Sequence, residues 1–152
     1  MYLTFDDEYE NGNIEKILNV LQEENVTGAF FILGHLIQST PSLVQRMKNE
    51  GHTVANHTNT HRNMTSLDNF EAFERELKDL ETLYSEHIGG TMSPYYRPPE
   101  GTFDERSLRY AEQLGYKTIF WSFAYEDWDN QKQPSPQAAK AKILDHLHNG
   151  AV

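Results

Sequence analysis

The sequence predicts an α/β protein built on a parallel sheet, and three observations predict it. Short runs rich in aromatic and β-branched residues recur along the chain. Between them lie segments whose apolar residues repeat at three- and four-residue steps, the period of a helix with one buried face. Residues able to carry chemistry fall just after the strand-like runs, which is where parallel α/β sheets place their function. Asp6 and Asp7 follow the first run, His57 and His61 a second, Arg97 and Glu100 a third, and Glu126 and Asp127 a fourth.

Taken in order, Tyr2-Leu3-Thr4-Phe5 reads as the first strand, running straight into Asp6-Asp7-Glu8. Ile14, Ile17, Leu18 and Leu21 predict a helix, and Gly28–Leu33 the second strand. Thr40-Pro41 opens a further helix with proline at its first position, Leu43, Val44 and Met47 form its stripe, and Gly51 stops it. His52–Asn56 is the third strand. Leu67, Phe70, Phe73, Leu77, Leu80 and Tyr84 predict a long helix over residues 67–87, ended by Gly89-Gly90. Tyr95-Tyr96-Arg97 is a short strand, and Leu108, Ala111 and Leu114 mark a helix before Gly115. Lys117–Ser122 reads as the next strand. Ser135-Pro136 starts a last helix with Ala139, Ile143 and Leu147 expected inward and Gly150 at its end; Asp127–Pro134 is the segment expected to be loosest.

Composition narrows the function classes. A chain of 152 residues with 38% hydrophobic and 12% aromatic content suits one folded domain, residues 1–152. Its net charge of −10 repels a phosphate backbone, so nucleic acid is not the expected partner. No cysteine is present, which removes thiolate metal sites and cysteine nucleophiles. The longest apolar run, Ala29–Leu33, is far too short for a transmembrane segment, and no basic-then-apolar leader precedes Tyr2. A serine-triad esterase is not expected, because no Gly-x-Ser-x-Gly elbow occurs.

The stretch His57-Thr58-Asn59-Thr60-His61 carries the chemistry. Two imidazoles four positions apart suit one divalent ion, most naturally zinc, which takes three protein ligands and leaves a position for water. If Asp7 joins His57 and His61 as the third ligand, the ion makes a water acidic enough to attack a carbonyl at neutral pH. Adjacent residues leaving a strand point in different directions, so Asp6 can serve as the base while Asp7 ligates. Arg97 is expected to fix the orientation of Asp6. Pro98-Pro99 stiffens the following backbone, so the Glu100 amide can face an oxyanion. His35, His52 and His87 read instead as structural or solvent-exposed histidines.

Together these stretches resemble the polysaccharide deacetylases of the NodB-homology type over nearly the whole chain. Thr4-Phe5-Asp6-Asp7 is similar to that family's first motif, base then metal ligand, and His57–His61 to its second, which holds the metal. Arg97-Pro98-Pro99-Glu100-Gly101 resembles the third, whose arginine contacts the base and whose fourth position offers an amide to the oxyanion. The run from Trp121-Ser122 to Asp127-Trp128 resembles the fourth, where a tryptophan walls the acetyl pocket, so that Tyr125, Asp127 and Trp128 are expected to bind substrate. The resemblance implies a distorted (β/α) barrel and metal-dependent removal of N-acetyl groups from a glycan outside the cytoplasm. Asp6–Gly12 and Ser122–Trp128 look most like the branch that deacetylates muramic acid in peptidoglycan and leads to muramic δ-lactam.

The pattern departs from the family in places. Glu8 and Glu100 stand where glycine and tyrosine are usual, Ala124 replaces an aspartate that commonly supports the arginine, and Asp7 stands where the muramic branch often has asparagine. The fifth motif, whose histidine protonates the leaving amine, would begin right after Ala151-Val152. His146 and His148 lie on the preceding helix and are not that residue. The resemblance therefore implies a chain truncated before its last strand, which binds metal but turns over poorly. A chitin-oligosaccharide deacetylase, a metal-free glycosidase using Asp6 with Glu126 or Asp127, and a non-catalytic glycan-binding domain stacking sugars on Trp121, Trp128, Tyr95 and Tyr125 remain as alternatives.

Overall fold

The computed structural model describes residues 1–7, 9–129 and 131–152. Glu8 and Asn130 therefore lie outside the described residues. The chain divides into two compact units: Thr4–Ile119, and a smaller one made of Met1–Leu3 with Phe120–Val152.

Five strands form one sheet in the larger unit: β1 (Thr4–Asp7), β2 (Ala29–Ile32), β3 (Thr53–Asn56), β4 (Tyr95–Tyr96) and β5 (Lys117–Thr118). They lie in the order β1-β2-β3-β4-β5, and every neighbouring pair is parallel. A doubly wound sheet reverses its order at a switch point, whereas an order that runs monotonically is that of an unrolled (β/α) barrel. The crossovers carry α1 (Ile14–Glu23), α2 (Gly34–Ser39), α3 (Pro41–Asn49), α4 (Phe70–His87) and α5 (Glu105–Gln113).

β1 begins two residues later than the composition of its apolar run predicts, and this places both aspartates inside the strand. Asp6 pairs with Phe31 and Asp7 with Ile32, because β2 continues that far. Conversely, β5 stops at Thr118 instead of Ser122. Its partner β4 is only two residues long, since Pro98 and Pro99 supply no N–H to extend a ladder. α2 was not expected: it begins at Gly34, directly after Leu33, and no side chain caps it.

Two apolar layers hold the larger unit. Phe30, Phe31 and Ile32 are fully buried together with Leu18, Leu36, Ile37, Val44 and Met47. Met64, Leu67, Phe73, Leu77, Tyr96, Ala111 and Tyr116 form a second cluster beneath α4 and α5. Each such large side chain contributes about 1.5–3 kcal/mol when fully buried. α4 starts at Phe70 because the Asn69 side chain accepts from the Ala72 amide at 2.9 Å, closing its first turn.

The smaller unit contains α6 (Pro136–Asp145), capped by the Ser135 hydroxyl. The expected inward stripe is corrected here: Ile143 and Leu147 are 38% and 43% exposed. A unit this small has little apolar surface with which to cover a helix face. It is tied instead by main-chain bonds from Tyr2 to Ala151 and from Ser122 to Val152, and by Phe123 stacked on His146 at 4.0 Å. Among the described residues no helix is long and apolar enough to cross a membrane.

Candidate active site

The loop after β3 is held in a conformation that residues of its type rarely adopt. Thr58 and His61 have φ of 76° and 57°, the left-handed region, where a non-glycine residue stores roughly 1–3 kcal/mol of strain. Hydrogen bonds over-determine it. Asn56, fully buried at the end of β3, accepts from the Thr58 amide at 2.9 Å and donates to the Leu77 carbonyl and the Tyr116 hydroxyl. Its amide is thereby fully used. The Thr58 hydroxyl then accepts from the His61 amide at 3.0 Å. Tyr116 donates onward to Glu81, and burial followed by that carboxylate pushes its hydroxyl well above the usual tyrosine range. As a result the His57 and His61 rings stand 5.2 Å apart at 62°.

Arg97 joins this loop to β1. Its side chain is 2% exposed and lies with its guanidinium carbon 4.1 Å from the centre of the Phe31 ring. One arm donates to Asp6 at 2.6 Å, another to the Thr4 hydroxyl at 3.0 Å, and Nε donates to the Ile119 carbonyl. Thr4 and Asp6 are two apart on one strand and share a face, so a planar fork spans both. The Arg97 carbonyl lies 2.8 Å from His57 Nδ1. A carbonyl only accepts, so Nδ1 carries a proton. One residue thus orients a carboxylate with its side chain and sets an imidazole tautomer with its main chain.

Asp7 is buried at 8% exposure. Through Ile32 it stands level with Asn56, two strands away, so about 10 Å of main-chain separation lies between Asp7 and the start of the histidine loop. That interval is within the combined reach of an aspartate and an imidazole. Among the described residues no group of three His, Asp or Glu side chains is drawn together closely enough to hold an ion by itself. The donor types nevertheless fit a divalent cation: two neighbouring imidazoles, one with its ring turned by a main-chain carbonyl, and a buried carboxylate at the same level of the sheet.

Glu100 follows the two prolines in a left-handed conformation, φ 58°, inside a tight turn closed by bonds from Gly101 to Pro98 and from Thr102 to Pro99. Its side chain is exposed, so what the turn fixes is the main chain. The remaining expected residues, Tyr125, Asp127 and Trp128, belong to the smaller unit. Tyr125 lines a cavity of about 440 Å³ with Phe123, Ala124, Glu126, Lys142 and His146. Trp128 is 74% exposed, and the Asp127 carbonyl accepts from Gln133. Among the other histidines, His52 is buried with Nδ1 accepting from the Gly28 amide, His35 rests against Tyr9, and His87 is exposed.

Two supporting residues escaped the sequence reading. Gly34 is required by closeness and not by φ: a Cβ there would meet Asn59 Oδ1 at 2.0 Å, and its amide donates to the Asn59 carbonyl. Glu76 sits on the buried side of α4 and bonds the same loop. Its place among Phe73, Leu77 and Leu80 was the available signal, an acid where the helical period calls for an apolar residue.

Comparison with known proteins adds an independent line. The profile described as polysaccharide deacetylase matches residues 1–119. The peptidoglycan-N-acetylmuramic acid deacetylase PdaA of Bacillus subtilis is 38% identical over 152 residues, all of this chain and 57% of PdaA. A chitooligosaccharide deacetylase of Rhizobium leguminosarum bv. trifolii is 36% identical over the whole chain and 68% of its own length. The solved structure of B. subtilis PdaA, described as a family 4 carbohydrate esterase, superimposes with a TM-score of 0.93, covering 99% of this chain and 64% of that one. The chain thus spans little more than half the length of PdaA. With a profile matched over most of its residues and a relative aligned over two thirds of that protein's length, the chain belongs to the polysaccharide deacetylase family.

Proposed function

We propose that this chain carries the active site of a metal-dependent hydrolase that removes N-acetyl groups from the amino sugars of peptidoglycan, outside the cytoplasm. Membership of the family is consistent with a divalent metal. Zinc is the ion the nitrogen-rich donor set suits, and Asp7, His57 and His61 are the residues that would hold it. When bound, such an ion makes a water more acidic and polarises the acetyl carbonyl. Asp6 takes the proton of the attacking water, and Arg97 keeps its carboxylate aimed. The Glu100 amide, in a turn stiffened by Pro98 and Pro99, faces the oxygen on which negative charge develops. The observation that carries the reading is Arg97, whose side chain grips Asp6 while its carbonyl turns the His57 ring. Peptidoglycan is favoured over chitin by the names of the relatives, among which are muramic acid and glucosamine deacetylases. Tyr125, Asp127 and Trp128 are the residues we assign to the sugar.

Two measurements test this. Purified protein should bind zinc with near-unit stoichiometry and His57→Ala should not, and acetate should be released from N-acetylated peptidoglycan in a chelator-sensitive manner. Release of reducing ends without acetate would instead select a glycosidase, and glycan binding indifferent to chelator with no acetate would select a binding domain.

A further inference from the structure

We infer that Glu76 is the positioning residue that holds the histidine loop in its metal-competent shape. The inference rests on the reading that His57 and His61 hold the ion. Glu76 occupies the buried side of α4 at 9% exposure, between Phe73 and Leu77. A carboxylate is costly there unless hydrogen-bonded, and both of its oxygens are used on the loop. One accepts from the Thr60 amide at 3.0 Å and the other from the Thr60 hydroxyl at 2.7 Å. Its own carbonyl accepts from the Asn59 amide at 2.9 Å. Three bonds from one residue therefore reach the two positions directly before His61. α4 does not need them for its packing, which Phe73, Leu77, Leu80 and Tyr84 provide.

The loop does need them. Thr58 and His61 are both left-handed, a shape that persists only where its surroundings leave no alternative. Asn56 and the Thr58 hydroxyl pin the part near His57, while Gly34 pins Asn59 from the other side. Glu76 adds a restraint at Thr60. Without it the turn that sets His61 5.2 Å from His57 loses a support, and the site is less preorganised for an ion.

The test compares zinc affinity, by competition with a chromophoric chelator, in wild type, Glu76→Ala, Glu76→Gln and Thr60→Val, with thermal melts of the metal-free proteins. Glu76→Ala should bind zinc about 10–100-fold more weakly, the usual effect of removing an outer support of a metal ligand. Glu76→Gln, which keeps an acceptor for the Thr60 amide, should lie closer to wild type, and Thr60→Val should weaken binding in the same direction as Glu76→Ala. Unchanged zinc affinity in a folded Glu76→Ala, even with a lowered melting temperature, would reduce the residue to a structural role and overturn the inference. Should Glu76→Ala fail to fold, Thr60→Val decides: wild-type affinity there overturns it equally. Failure of wild type itself to bind zinc would remove the underlying reading, a different result from a variant that matches a zinc-binding wild type.

Discussion

Arg97 makes the carboxylate and the imidazole of this site depend on one another. Its guanidinium donates to Asp6, Thr4 and the Ile119 carbonyl, and its own carbonyl accepts from His57. Removing the base and removing its holder should therefore fail differently. Asp6→Asn keeps an oxygen for Arg97 but cannot take a proton. Acetate release should fall on the order of 10²–10⁴-fold with bound zinc unchanged. Loss of zinc in that variant would place Asp6 among the ligands. Arg97→Ala instead empties a buried position and leaves Asp6 and Thr4 without their donor. Breaking a buried pair costs about 3 kcal/mol, somewhat less here because the Asp6 side chain keeps 33% exposure. A urea midpoint unmoved by Arg97→Ala would show that the fork carries no stability. Arg97→Lys should recover little, since an ammonium cannot span three acceptors in one plane.

At the scale of elements, the crossing of α2 with the histidine loop depends on an absent side chain. A Cβ on Gly34 would lie 2.0 Å from Asn59 Oδ1, so Gly34→Ala must push Asn59 aside. The expected cost is about 1–3 kcal/mol, typical of overpacking, read as a lowered urea midpoint. In an Asn59→Ala background the same substitution should cost clearly less, and equal costs in both backgrounds would show that the two do not meet. This contact is also where the sequence was hardest to read. The helical period found α4, whose Phe73, Leu77, Leu80 and Tyr84 repeat over many turns, and missed only its start, which Asn69 sets. α2 has six residues and no cap, too short for a period to declare itself. Gly34 and Glu76 act through neighbours far away in the chain, Asn59 and Thr60, which no local pattern contains. Asp6 and Asp7 stood out by chemical type, but the register against Phe31 and Ile32 that draws them into β1 came from β2.

For the larger unit as a whole, alternation of strands and helices made a parallel sheet legible, while the two-residue length of β4 and β5 follows from pairing that only the folded chain displays. Its second core cluster is unusual in burying two phenols, Tyr96 and Tyr116, at 1% and 8% exposure. Burial pushes both hydroxyls far above the ordinary tyrosine range, and for Tyr116 the Glu81 carboxylate adds to this. The sign follows directly. Below pH ~10 both are protonated whether folded or unfolded, and pH has no leverage through them. Above it the unfolded chain releases two protons that the folded one retains, so stability is lost as pH rises, by about 1.4 kcal/mol per pH unit for each tyrosine. The two phenols differ in one respect: Tyr116 exchanges hydrogen bonds with Asn56 and Glu81, whereas the buried Tyr96 hydroxyl has no hydrogen-bond partner among the described residues. Tyr96→Phe should therefore be neutral or stabilising by about 1 kcal/mol at neutral pH and should lower the alkaline slope by about 1.4 kcal/mol per pH unit. Tyr116→Phe should lower the slope by a similar amount, yet lower stability at neutral pH, because it leaves the Asn56 amide and Glu81 short of a partner. Urea midpoints measured from pH 7 to 11 separate the two, and a Tyr96→Phe variant as alkali-sensitive as wild type would show that this phenol ionises freely in the folded protein.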